Sequence, residues 1–532
     1  MLLELSLAEP FSNVRPSATL GTAIASLKSD LSDDCLQVRI AFMHAGSKNI
    51  PARVKPRLSF ALLIIVMMGC TPSRIVYQHA DELGGQKDLF VVREDGSNRA
   101  VLAQSQDEET ACGVTTDRRV VFTRQTLQGG DIYAVNEDGT GLTPVRTTPA
   151  DEACFGVTGN NMVIFGVTVS VTNHDLYSIS VNATPTDLPI TLSAAPLDEL
   201  PMAIGWDNRV VYAKQDAEVA VDGHRYSYNS INDDGSQLTH LVGVFLEPRY
   251  VAITPGLRMV WTRPGPPPNG GLFGTTTDPS PTTAALNTFL HNLGWIEDRF
   301  CGLTPNGRLL LTSRGFYPVD GIPTGFASIY MMADDGSSRV LINPGPRNYN
   351  ELCVGATDEW VIVTRYPDTQ DPSRGIVTGL WSYPISGTGN PVQLATAPSA
   401  SEFALSFEGV TPGGRVLFST YDAGTQQYSH SSINPDGSGL ALLTVSTGGP
   451  MAFTLGQVVY SLQREQEYTL GIVPANGQHA VTLLAGEAVE NWASFVYRTD
   501  FMTGEAIRCR TCWPFSIVDR GGVPIPSPLP PP

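Results

Sequence analysis

The stretch RVVFTRQTLQGGDIYAVNEDGTGLTPVRTTPADEACFGVT, residues 119–158, carries one complete period of a pattern that recurs along most of the chain. It opens on an apolar triplet led by a basic residue. A loop follows, then an aromatic-bearing strand, DIYAVN from Asp131, that closes on the turn Glu137-Asp138-Gly139. Asp-Gly tolerates the positive φ that tight hairpins demand. Two further strands, TPVRTT from Thr143 and ACFGVT from Ala153, complete the set. The leading strand returns as RIVYQ at Arg74, MVIFGV at Met162, RVVYAK at Arg209, RMVWTR at Arg258, RLLLTS at Arg308, WVIVTR at Trp360, RVLFST at Arg415 and QVVYSL at Gln457. Successive starts from Arg74 lie 45, 43, 47, 49, 50, 52, 55 and 42 residues apart, which suits four short strands and their connections. The period predicts an all-β fold, a β-propeller of four-stranded blades. Nine starts are countable, but the first and last can complete one ring-closing blade, so eight blades are expected within a range of seven to nine.

Asp-Gly turns return at Asp95-Gly96, Asp234-Gly235, Asp335-Gly336 and Asp436-Gly437, with Gly387 and Asn476-Gly477 in related places. The unit after Arg258 departs most: PGPPPNGG, residues 264–271, is a Pro/Gly loop, and that unit is read as a distorted blade. Fragments such as Thr304-Pro305-Asn306-Gly307, Thr411-Pro412-Gly413-Gly414, Asp131-Ile132-Tyr133, Asp175-Leu176-Tyr177 and Ser328-Ile329-Tyr330 resemble the PD40 (WD40-like) repeats of the TolB family's propeller. The resemblance covers residues 74–500 and implies fold. There is no room for the separate α/β domain that precedes the propeller in TolB, so TolB's envelope role does not transfer, and propellers host many unrelated activities.

Composition agrees: 51 Gly, 40 Pro and only 16% charged residues suit a turn-rich all-β chain of 532 residues. Arg53, Lys55 and Arg57 precede an apolar run at 58–68 that ends on Gly69-Cys70, the layout of a signal peptide. Eleven residues are too few to span a membrane as a helix, which takes roughly twenty. Met67-Met68-Gly69-Cys70 resembles a bacterial lipobox, although Met68 departs from it, and the resemblance implies that Cys70 is lipidated after cleavage. The alternative is a buried hydrophobic strand with a chance Cys. Residues 1–42 are read as an over-extended or disordered leader, 43–69 as the signal, 70–73 as a lipidated tether, and 501–532 as a C-terminal extension. Losing 1–69, with 7 Lys and Arg against 5 Asp and Glu, makes the mature chain more acidic than the −18 of the whole, which argues against nucleic acid as a partner.

Cys112, Cys154, Cys301 and Cys353 fall seven or eight residues before the next leading strand. They are read as buried hydrophobes between blades. Disulfides between adjacent units, Cys112 with Cys154 and Cys301 with Cys353, are the alternative. Cys509 and Cys512 form a C-x-x-C read as a local disulfide, since no second pair completes a zinc set. The Pro-rich tail 523–532 is read as extended.

No Gly-x-Ser-x-Gly elbow, phosphate loop or metal-type His spacing is present. What stands out is an acidic residue ahead of the innermost strand in unit after unit: Glu109, Asp151 with Glu152, Asp198 with Glu199, Glu247, Glu297 with Asp298, and Glu351, with Glu402 and Glu490 continuing the series. Antiparallel connectivity puts them on the face that also carries the long loops 215–224, 264–271, 314–327 and 366–379. Glu109, Asp151, Glu152, Glu199, Asp298 and Glu351 are therefore expected to form a binding rim suited to Ca²⁺ or a basic segment, and exchanging Glu109, Asp151, Glu199, Asp298 and Glu351 together for amides should not lower stability. The alternative is simple turn chemistry. The function expected is a monomeric, non-enzymatic, membrane-anchored envelope scaffold that binds a protein, peptide or glycan and needs no cofactor. A propeller enzyme, a polysaccharide lyase or hydrolase with a metal near the channel mouth, is the alternative. His174, Tyr177, His224 and Arg299 are the side chains whose convergence would favour it.

Overall fold

The computed structural model describes strands at 37–43 and 62–68, most of residues 74–499, and 506–508. Within that span the connections 81–86, 245–248, 264–270, 286–295, 316–326, 344–348, 368–376, 398–403, 447–449, 454–456, 476–480 and 485–489, and some shorter gaps, lie outside the description. Residues Met1–Cys70 and Thr71–Pro532 form separate units. In the first, Gln37–Met43 pairs antiparallel with Leu62–Met68, so the apolar run ahead of Cys70 is a paired strand.

The second unit is all β. Among the described residues its strands sort into nine sheets. Blade 1 is Glu490–Thr499, Arg74–Ala80, Lys87–Arg93 and Ala100–Ala103, with Ala506–Arg508 added outside Glu490–Thr499. Blade 2 is Glu108–Val114, Arg119–Thr126, Gly129–Asn136 and Thr143–Arg146; blade 3 is Asp151–Val157, Met162–Ser170, Asn173–Ser180 and Ile190–Ser193. Blade 4 comprises Glu199–Ile204, Arg209–Ala220, Gly223–Asn232 and Thr239–Val244. Blades 5 to 9 begin at Arg249–Ile253, Ile296–Leu303, Tyr349–Ala356, Leu405–Val410 and Pro450–Phe453. Within each blade, neighbours in sequence pair antiparallel, and Arg74–Ala80 pairs with Glu490–Thr499. Each sheet packs on the next, and blade 9 packs on blade 1 through Glu490–Thr499, which closes the ring.

Nine sheets is one more than the eight favoured from the sequence, and the reason is the phase of the repeat. ACFGVT pairs with the leading strand that follows it, not with the unit that precedes it. Gln457–Arg464 consequently leads a sheet of its own, and the strand after it closes blade 1. The unit after Arg258 also pairs as four strands, its outermost, Thr283–Ala285, being only three residues long.

The leading strand is apolar without alternation because both of its faces are buried between blades. Val120 and Phe122 pack with Val76 and Leu89 of blade 1, while Val121 packs with Val163 and Phe165 of blade 3. Its leading arginine ties the strand to the turn beside it. Arg209, 3% exposed, donates to Asn232 Oδ1 at 2.8 Å, Ser230 Oγ at 2.8 Å and the Gln237 carbonyl at 2.9 Å.

The Asp-Gly turns are bound to neighbouring blades. Gly139 has φ +82°, and a Cβ there would come within 2.1 Å of the Val101 carbonyl oxygen of blade 1, so both the conformation and the contact require glycine. Thr158 Oγ1 of blade 3 donates to Asp233 of blade 4 at 2.6 Å, and Thr254 Oγ1 of blade 5 to Asp334 of blade 6 at 2.7 Å.

Candidate functional site

The acidic series lies on the face opposite these turns, as the connectivity predicts. Pairing sets Glu109 opposite Arg124, Glu152 opposite Val167, Glu199 opposite Lys214, Asp298 opposite Ser313 and Glu351 opposite Arg365, each near the loop end of its leading strand. All five hold one structural position. Each stands two residues before the partner of Phe122, Phe165, Tyr212, Leu311 or Val363, the last apolar residue of the RVVF-like motif. Asp151 stands one residue earlier than that position, and so does Glu490 in blade 1. In blade 8 the position holds Leu405. Glu247 and Glu402 lie outside the described residues, as do the side chains of Glu297, Asp298 and Glu490.

Exposure corrects the picture of an open rim. Glu109, Glu199 and Glu351 are 0% exposed and Glu152 is 1% exposed. Asp151 alone among the described rim residues is half-buried; it accepts from the Gly130 N–H at 2.8 Å, at the hairpin tip of blade 2. The buried carboxylates join blades. Glu109 accepts from Ser105 Oγ at 2.5 Å, on the connection from blade 1, and from Arg124 Nε at 3.2 Å. Glu152 accepts from Thr148 Oγ1 and faces Arg146 Nε, at 3.5 Å, on the outer strand of blade 2. Glu351 Oε1 accepts from Arg365 Nε at 2.9 Å and from Tyr383 Oη at 2.7 Å, while Asn343 of blade 6 donates to its Oε2. Arg365 stacks on Trp381 with its guanidinium 3.8 Å from the ring centroid.

Burial raises the carboxyl pKa of all four above the ordinary glutamate value, while hydrogen bonds and, for Glu109, Glu152 and Glu351, arginines pull the other way. Glu199 is pushed up to about 7 by desolvation, with the Asp175 charge adding to it. The like-charge arrangement repeats: Asp88 opposes ionisation of Glu109, and Asp131 that of Glu152. Buried Oε2 atoms of Glu109, Glu152 and Glu199 have no hydrogen-bond partner.

Of the four side chains whose convergence would favour an enzyme, two meet carboxylates at the boundary of blades 3 and 4. His174 Nδ1 lies 2.7 Å from Asp198 Oδ1, and Tyr177 Oη donates to Asp175 Oδ2 at 3.2 Å. The side chains of His224 and Arg299 lie outside the described residues. The segment 215–224, expected as a loop, is mostly strand: Gln215 faces Tyr226, Asp216 faces Arg225 and Ala220 faces Gly223, so a long hairpin stands on this face. The loops 264–271, 314–327 and 366–379 fall largely outside the described residues, as do Cys70, Cys509 and Cys512. Among the described residues no three His, Cys, Asp or Glu side chains gather as a metal site.

The inner-strand cysteines pair, contrary to the favoured reading of free buried thiols. Cys112 bonds Cys154 with Cα atoms 5.9 Å apart, and Cys301 bonds Cys353 at 5.5 Å, both inside the range a disulfide needs. The two bonds are equivalent. Cys112 and Cys301 are the unpaired residues of inner-strand bulges, while Cys154 and Cys353 sit just before the bulge of the next blade. A bulge re-aims a side chain. Here it coincides with a cysteine that reaches the adjacent blade.

No family model matches the chain, and no curated protein matches its sequence. Solved structures do. TolB from Acinetobacter baumannii is 12% identical, with 63% of this chain and 82% of that one covered, at a TM-score of 0.27. An oligogalacturonate lyase in complex with manganese is 9% identical over 76% of this chain and 98% of that one, at 0.34. The β-propeller domain of the Trilobed protease from Pyrococcus furiosus is 10% identical over 64% and 96%, at 0.33. These likenesses concern fold alone, and the fold rests on the strand pairing itself: the chain is a β-propeller.

Proposed function

We propose that the chain is a membrane-anchored envelope lipoprotein whose propeller is a non-enzymatic scaffold, binding a protein, peptide or glycan on its loop face. The observation that carries this reading is the asymmetry of the two faces. On one, tight Asp-Gly turns are tied blade to blade by side-chain hydrogen bonds such as Thr158 to Asp233 and Thr254 to Asp334. On the other stand the strand-to-strand hairpins and inter-blade connections, including the long hairpin of blade 4, and loops on a rigid scaffold are where binding residues concentrate. The inter-blade disulfides support an oxidising compartment, where such bonds persist. Because the glutamates that recur at this position are buried between blades, recognition falls to exposed groups such as Leu127, at the tip of a blade 2 hairpin.

A photo-crosslinking residue at Leu127 on the loop face should capture an envelope component. The same residue at Leu238, exposed on the turn face, should not. Capture from 238 and none from 127 overturns the assignment of faces. Cys70→Ala should move the chain out of the membrane fraction or block its processing, and a membrane-bound chain that still contains residues 43–69 would refute the lipid anchor.

One observation favours a second reading. His174 held by Asp198, beside the buried Glu199, has the form of an oriented base with a carboxyl acid nearby, as a propeller lyase or hydrolase would need. Turnover of an anionic polysaccharide that is lost in His174→Ala would establish it; no product formed leaves the scaffold.

A further inference from the structure

The boundary between blades 3 and 4 lacks what its counterparts have. Glu109, Glu152 and Glu351 each face an arginine, at 3.2, 3.5 and 2.7 Å. These arginines come from two positions: the residue opposite the glutamate on its own blade, as Arg124 and Arg365, or the end of the preceding blade's outer strand, as Arg146. Around Glu199 the same two positions hold Lys214 and Ser193. Ser193 Oγ donates to Glu199 Oε1 at 3.0 Å, and Glu199 Oε2 is buried with no hydrogen-bond partner.

Like charge approaches from the neighbouring blade. Asp175 accepts from Tyr177 through Oδ2, while its Oδ1 is also buried and unbonded. The charged and titratable groups around Glu199 are Asp175 and Tyr177 from Asn173–Ser180, Tyr212 and Lys214 from Arg209–Ala220, and Asp198 with His174 alongside; Arg146 acts on Tyr177 from blade 2. Glu199 is thus buried beside a second carboxylate, and among the described residues neither Lys214 nor an arginine forms an ion pair with it. Ionisation of Glu199 there is opposed by burial and by the Asp175 charge.

We propose that this boundary is a proton-operated latch: a proton held by Glu199 keeps blades 3 and 4 closed, and its loss loosens the loop face between them. The bare Oε2 is the atom that carries the proton, and protonation removes both the buried charge and the repulsion. Burial first, then Asp175, set Glu199 near pH 7 in the folded chain. A carboxyl raised on folding stabilises fully below its ordinary value, about 4.3, and that stabilisation is lost as pH climbs through the folded value. The window therefore runs from about pH 4.3 to about pH 7.

Hydrogen exchange of the full chain at pH 5 and pH 8, corrected for intrinsic rates, tests this on peptides covering 190–204. Those peptides should open on the order of a hundredfold more at pH 8, about tenfold for each of the roughly two pH units between pH 5 and the folded value. Glu199→Gln should stay closed at both pH values. Asp175→Asn should retain a pH dependence whose midpoint is lower. Equal opening at both pH values in the natural chain overturns the latch, as does an unchanged dependence in Glu199→Gln. If the glutamine variant does not fold, an unmoved midpoint in Asp175→Asn overturns it. Closure at pH 8 by millimolar Ca²⁺ as complete as closure by acid would assign the corner to a cation instead.

Discussion

Glu351→Ala is the substitution that separates a structural carboxylate from a rim carboxylate. In the folded chain Glu351 is 0% exposed and serves three donors from two blades: Arg365 and Tyr383 of its own, Asn343 of blade 6. Alanine removes the acceptor these groups share and takes the Glu351 charge from beside the Arg365 guanidinium, 12% exposed and stacked on Trp381. Breaking one side of a buried pair costs about 3–5 kcal/mol, because the remaining charge stays desolvated. An exposed pair would cost at most about 1 kcal/mol. Urea unfolding followed by tryptophan emission gives the difference between the two chains. Hydrogen exchange at 340–356 shows whether the loss is local to blades 6 and 7, which matters because a ring of repeats need not unfold in one step. Glu351→Gln keeps an acceptor and should fall between the natural chain and the alanine variant. A loss below about 1 kcal/mol for Glu351→Ala would refute the buried-link account and restore the exposed rim.

Two further outcomes follow from the blade contacts. A non-reducing peptide map should recover Cys112 linked to Cys154 and Cys301 linked to Cys353; replacing Cys112 by Ser should cost about 4 kcal/mol by the loop-entropy relation for a bond closing 42 residues, and a free thiol at 112 would contradict the pairing. A chain ending at Gly486 lacks the inner strand of blade 1, so it exposes the edge of Arg74–Ala80 and should aggregate or lose its cooperative melt; undiminished melting would argue against ring closure.

Much of this architecture was legible because its causes are local. Val120, Val121 and Phe122 run without alternation since a strand between two others, with a blade on either side, has no solvent face, and the Asp-Gly turns mark the same register each time. The acidic position was legible as a series, but its burial was not, because the groups that cover it come from elsewhere in the chain: Arg146 lies on the blade before Glu152, and Asn343 on the blade before Glu351. The cysteines show the limit most plainly. Cys301 and Cys353 both stand seven residues ahead of a leading residue, Arg308 and Trp360, so by spacing alone they occupy one position and should point the same way. They do not, because the intervening turns differ by a residue. Thr304 N donates to the Arg308 carbonyl, four residues on, whereas Thr357 N donates to that of Trp360, only three on. The shorter turn moves Cys353 one step along the ladder, opposite Val363 and ahead of the bulge, while Cys301 stays within its own. One residue in a surface turn thus decides whether two cysteines repeat a packing position or face each other across a blade boundary.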